Sequence, residues 1–105
     1  MLKVRNMVSK NSGREVANQF VLELKDFTNG YNHTVFQSYD STIIDIDFNN
    51  FNITIYPNYN YSITTGKYRN QFFEENHFLE LSSLKELEKA IKQGFYKDYT
   101  IIMAN

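Results

Sequence analysis

The 105-residue chain has no cysteine, and that absence excludes a disulfide framework, a thiolate zinc site and a cysteine nucleophile. It has one proline and four glycines, too few for a proline-rich or glycine-rich linker protein. It has no tryptophan. No long unbroken apolar run occurs, so neither a membrane span nor a signal peptide is expected, which points to a small cytoplasmic domain. Net charge is only −1, which argues against bulk electrostatic capture of nucleic acid and equally against a strongly acidic mimic of DNA. Two local absences give the chain a polarity. Residues 1–14 carry Lys3, Arg5, Lys10 and Arg14 without an acid, whereas residues 26–66 carry Asp26, Asp40, Asp45 and Asp47 without a lysine or arginine.

What is present is apolar and aromatic. Hydrophobic residues make up 42% of the chain and charged residues 22%, a balance that suits a folded domain rather than a disordered one. Nine Phe and eight Tyr supply a large apolar payload for one small core. At this length a single domain over residues 1–105 is expected.

The first half alternates with period two. Leu2–Met7, Val16–Leu24, Thr34–Tyr39, Thr42–Phe48 and Phe51–Tyr56 read as strands, so strands fill about residues 2–56. Asn11-Ser12-Gly13, Asn29-Gly30 and Asn49-Asn50 supply turns, and Pro57 ends the last of these strands. The alternation sets Phe20, Leu22 and Leu24 on one face, with Ile44, Ile46, Ile53 and Ile55 as further buried rows. The other face carries Asn, Gln, Thr, Ser and Asp and is expected to be solvated or used in a contact.

The second half changes period, with helices expected over about residues 64–94. Thr64 or Thr65 can cap a helix that runs through Phe73, with Tyr68 and Phe72 on one face. Ser83-Leu84-Lys85-Glu86 has the form of a capping box, Leu84, Leu87 and Ile91 follow at helical spacing, and Gly94 stops the helix. A short last strand follows over about residues 98–103. Strands followed by helices give an α+β fold: a four- to six-stranded antiparallel sheet with two helices packed on one face.

Little in the chain has the form of a catalytic centre. His33 and His77 stand alone in polar stretches, and neither a calcium loop nor a glycine-rich phosphate loop occurs. Asp45 and Asp47 lie two apart on one strand face, a spacing that alternation explains without chemistry. The hydroxyl residues have no histidine nearby to make a nucleophile. The reading is therefore non-enzymatic, with no catalytic residue, no metal and no cofactor.

Two readings concern binding. Tyr56, Tyr59, Tyr61 and Tyr68, followed by Lys67 and Arg69, combine aromatic rings with cations as single-strand binders do; the same rings can instead rim a small core. The basic residues of the first strand can contact phosphates or can block edge-to-edge pairing. The densest polar segment is Thr64–Phe72. With Tyr68 and Phe72 buried, Lys67, Arg69, Asn70 and Gln71 are expected to project, making Lys67, Tyr68, Arg69, Asn70 and Gln71 the candidate partner-binding site. Gln37, Asp45 and Asp47 on the polar sheet face form the second candidate surface.

Several segments carry a resemblance: Asn6-Met7, Ser12-Gly13-Arg14, Val16-Ala17-Asn18-Gln19-Phe20, Phe36-Gln37-Ser38-Tyr39, and Thr64-Thr65-Gly66-Lys67-Tyr68-Arg69-Asn70-Gln71-Phe72. Together they resemble a family of small proteins from phages and mobile elements of low-GC Gram-positive bacteria. The chain departs from that pattern at Ile53–Asn60 and in a longer Phe73–Ser82 linker. The resemblance implies an accessory protein that binds and inhibits a host defence protein complex such as a CRISPR nuclease; a monomer or homodimer is expected. A nucleic-acid-binding accessory protein and a phage structural or assembly component are the alternatives.

Overall fold

The computed structural model describes residues 1–105. Seven strands form one sheet: β1 (Leu2–Val8), β2 (Glu15–Asp26), β3 (Tyr31–Ser38), β4 (Ser41–Asp47), β5 (Asn52–Ile55), β6 (Phe95–Tyr96) and β7 (Tyr99–Met103). Helices α1 (Ile63–Glu75) and α2 (Leu84–Gln93) lie between β5 and β6, each preceded by a short 3-10 turn. The architecture is α+β, and no helix is long and apolar enough to cross a membrane.

The strand order is β1-β2-β3-β4-β5-β7-β6. Strands β1 to β5 form the expected antiparallel meander, built on tight turns. The Tyr39-Asp40 turn between β3 and β4 holds Tyr39 at φ 55°, the left-handed conformation that such short hairpins demand. The sheet departs from expectation in size and in direction. It has seven strands, and β5 pairs with β7 in parallel through Ile53↔Ile101. The parallel pair follows from the connection: both helices intervene between β5 and β7, and a long helical crossover brings the chain back to the same end of the sheet.

Local chemistry sets the helix ends. Ser83 caps α2 by accepting from the Glu86 amide at 3.3 Å, and Gly94 closes it at φ 84°. The cap of α1 is Ser62 rather than Thr64 or Thr65; its hydroxyl accepts from the Thr65 amide at 3.1 Å. Thr65 is buried instead, its hydroxyl 2.9 Å from that of Ser38 on β3.

The core joins Phe36, Ile44, Ile46, Ile53, Ile55 and Ile101 of the sheet to Phe72, Phe73 and Leu87 of the helices. Phe78 extends it, edge-on to Tyr99 at 5.1 Å between ring centroids. On β2 the expected facing is inverted. Gln19 and Val21 point into the core, whereas Phe20, Leu22 and Leu24 are half-buried on the opposite face. Register decides this, because Val21 pairs with Phe36, and Phe36 pairs with Ile44. Of the two outer strands only Met7 and Val21 reach the buried core, so the wider apolar row of β2 covers the open sheet face.

Gly66 stands inside α1 without a positive φ, so it supplies no backbone conformation that another residue lacks. A Cβ there would meet the Arg69 guanidinium at 3.6 Å, an ordinary contact. Gly66→Ala is therefore expected to stabilise the fold by about 1 kcal/mol, raising the melting temperature by roughly 5 °C in a thermal scan.

Candidate functional site

A concavity of about 560 Å³ lies where the β3–β4 hairpin meets the start of α1. Ser38, Tyr39, Asp40 and Ser41 form one wall, and Tyr61, Ser62, Thr64 and Thr65 form the other. Its lining is rich in hydroxyls, and its rim is apolar. Tyr61, 73% exposed, and the exposed Tyr39 face each other across the opening, and Ile63, next in the chain to the lining residue Ser62 but outside the cleft, is 93% exposed. The first turn of α1 holds no acid, so its amide end keeps its partial positive charge, while Asp40 sits on the facing wall.

The polar stripe of α1 continues this surface. Thr64, Lys67, Asn70 and Glu74 recur at three and four residues and so share one side of the helix. Lys67, Asn70 and Glu74 line a smaller groove with Lys10 and Asn11 of the β1–β2 turn, and Lys10 pairs with Glu74. Lys67 lies over the Tyr68 ring, 5.4 Å from its centroid.

Within the sequence-expected site, Lys67 is exposed and Asn70 half-exposed, but Tyr68, Arg69 and Gln71 are buried. The expected outward projection of Arg69 and Gln71 is corrected here. Helix α1 buries a wide side that includes polar groups, and Arg69 and Gln71 each find a backbone carbonyl there. Gln71 Nε2 donates to the Val8 carbonyl at 2.7 Å, tying α1 to β1. Arg69, 2% exposed, donates from Nη1 to the Tyr59 carbonyl at 2.6 Å and from Nη2 to Asn70 Oδ1 at 2.8 Å. Burial lowers the pKa of Arg69, while Tyr59 and Glu88 act in the opposite direction. Its role is to hold the Tyr59 segment against α1. Tyr59 is held from its other end, its hydroxyl donating to Glu88 Oε2 at 3.0 Å.

The second candidate surface also has a built arrangement. Asp45 and Asp47 share the open sheet face with His33, which stands alone in a polar stretch of the sequence. His33 Nδ1 lies 2.7 Å from Asp45 Oδ1, and Nε2 lies 3.4 Å from Asp47 Oδ2. The Tyr31 ring stacks on the imidazole at 4.1 Å. Gln37, on the same face, donates to the Tyr39 carbonyl at 2.8 Å. No group of three His, Cys, Asp or Glu residues is disposed to hold a metal ion.

Burial opposes ionisation of Asp47, but the Asn50 side chain and amide, His33 and the Asn49 amide outweigh it and hold its carboxyl below the ordinary value. A carboxyl with a lowered folded pKa stabilises the fold above its unfolded value, near 3.9, and the contribution fades as pH falls through the folded pKa. Stability is thus expected to drop below about pH 4, and Asp47→Asn is expected to flatten that limb in urea unfolding at pH 3 to 6.

A family model matches residues 2–89. The chain belongs to DUF8033, a family of unknown function. The match covers β1 to β5, all of α1 and the first part of α2, so both walls of the cleft are DUF8033 sequence, whereas the β6–β7 hairpin lies beyond it. No curated protein and no solved structure matches the chain.

Proposed function

We propose that this protein acts without catalysis, by occupying the surface of a partner protein through the cleft and the polar stripe of α1. The observation that carries this reading is the exposed pair Tyr39 and Tyr61 on a hydroxyl-rich cleft, with the exposed Ile63 beside it in the chain and Lys67 and Asn70 further along the same helix. Aromatic and aliphatic anchors beside satisfiable polar groups are how protein interfaces concentrate their energy. The sequence resemblance makes a host defence complex, such as a CRISPR nuclease, the partner class to test first.

The test is affinity capture from a low-GC Gram-positive host, followed by binding of the captured partner to purified protein. Tyr61→Ala/Ile63→Ala is expected to weaken that binding by tenfold or more, since one lost hot-spot side chain can cost 2 kcal/mol. Both side chains are largely in solvent, so circular dichroism should be unchanged. A folded variant that binds like the parent sinks this surface. The nucleic-acid reading separates by salt: phosphate binding falls steeply between about 50 and 200 mM, whereas an interface anchored on aromatics does not. Tight, salt-sensitive binding of DNA or RNA by the isolated protein would replace the present proposal.

A further inference from the structure

The two edges of the sheet differ. One is the two-residue β6, too short to template another strand, and the other is the seven-residue β1. In antiparallel pairing, residues alternate between bonding inward and bonding outward. The Lys25 amide donates to the Met1 carbonyl at 2.9 Å, so Met1, Lys3 and Arg5 bond to β2. The amides and carbonyls of Leu2, Val4 and Asn6 therefore face out along the free edge. A bulge between Asn6 and Val8 ends the regular stretch.

The side chains of this edge sort by face. On the open face Leu2 and Val4 are 59% and 57% exposed, and they continue inward as the half-buried apolar row of Leu22 and Leu24. On the helix face stand Lys3 and Arg5. A second copy of this chain fits poorly. Every antiparallel register that pairs more than one of the outward residues sets Lys3 or Arg5 opposite one of the same two cations of the other copy, and like charges directly opposite are destabilising.

We propose that β1 receives an extended segment of a partner protein as an eighth strand, and that this segment alternates acidic with apolar, β-branched residues. Its acids would face Lys3 and Arg5, and its apolar side chains would lengthen the Leu2 and Val4 rows. Two acids already lie near these cations: Glu75 bonds Arg5 at 3.5 Å, and Glu23 pairs across from Lys3. Lys3 makes no ion pair. An added strand lies about 5 Å from β1, whereas Glu23 lies two strand spacings, about 10 Å, from it, so the cations dominate what the incoming strand meets. No residue of this edge lines the cleft at α1, so this surface is separate from the one proposed above.

The test uses the full chain, labelled with ¹⁵N, and two synthetic peptides of about the length of β1. One alternates Glu with Val and Ile; the other replaces each Glu by Lys. The acidic peptide is expected to shift the amides of Leu2, Val4 and Asn6, protect them from exchange, and bind at least tenfold tighter than the basic one. Val4→Pro removes an outward amide at a position where an edge strand tolerates proline, and is expected to abolish binding. Lys3→Glu/Arg5→Glu is expected to reverse the peptide preference, and it decides the matter alone if the proline variant unfolds. Equal binding of both peptides, no binding of either, or amide shifts confined to other elements would overturn the proposal. A concentration-dependent dimer with the β1 amides protected in the absence of peptide would assign the edge to a second copy instead.

Discussion

Ile46→Asp is expected to unfold the protein. Ile46 is 0% exposed, pairs with Ile53 on β5, and belongs to the core beneath the helices. A carboxylate there finds no cation, and burying it unpaired costs several kcal/mol against a typical total stability of about 5–15 kcal/mol. Nor does a shift of strand register offer relief. A slip of one residue that carries the new carboxylate outward turns Asp45 and Asp47 inward. Ile46→Val, which removes one methylene at the same place, is the control and is expected to cost about 1 kcal/mol. Circular dichroism and thermal melting of the two variants check this. An Ile46→Asp protein with the parent's melting temperature would mean that Ile46 does not face the core.

What the sequence reveals of this fold is whatever local chemistry writes into consecutive residues. Ser83 and Glu86 announce the start of α2, Gly94 its end, and Leu87 its buried side. The alternation of Ile44 and Ile46, and of Ile53 and Ile55, gives the core face of β4 and β5, because both strands lie under the helices. On β2 the same logic fails. Three apolar residues there outnumber one, but of β2 only Val21 joins the fully buried apolar core, and it is the pairing of Val21 with Phe36 that decides which side is core. Alternation shows that a strand has two faces; the neighbouring strand shows which is inside. The parallel β5–β7 pair is hidden for a related reason. It joins Ile53 to Ile101 across both helices, and nothing local to either strand marks the direction of its partner.

The functional surfaces divide in the same way. Lys67 and Asn70 are legible as exposed polar positions, and Tyr61 is visible as one of a cluster of tyrosines. The cleft is not legible, because its walls come from a hairpin and a helix start more than twenty residues apart, brought together by the contact of Ser38 with Thr65. The grouping of His33 with Asp45 and Asp47 depends on the β3–β4 register, which sets His33 opposite Asp47. Sequence spacing gives the two carboxylates one face but does not bring the histidine between them.

The sharpest consequence concerns two neighbouring cations on α1. Lys67→Glu is expected to leave the fold intact and weaken partner binding by tenfold or more, because Lys67 stands in solvent beside the groove formed with Lys10 and Asn70. Arg69→Glu is expected to unfold the protein. Its guanidinium is enclosed, it bonds the Tyr59 carbonyl, and Glu88 lies close enough to bear on its charge. A carboxylate in its place would set an acceptor against that carbonyl and a second negative charge near Glu88, at a cost of several kcal/mol. Arg69→Met tests the same burial from the other side. It keeps most of the side-chain volume and removes the cost of burying a charge, while leaving the Tyr59 carbonyl without its donor at about 1–3 kcal/mol. That variant is expected to melt below the parent by no more than that penalty allows, and to bind the partner with unchanged affinity. Melting curves and partner titrations on the three variants check the argument together: a well-folded Arg69→Met protein that loses its partner would put Arg69 in the interface and overturn the division between the two residues.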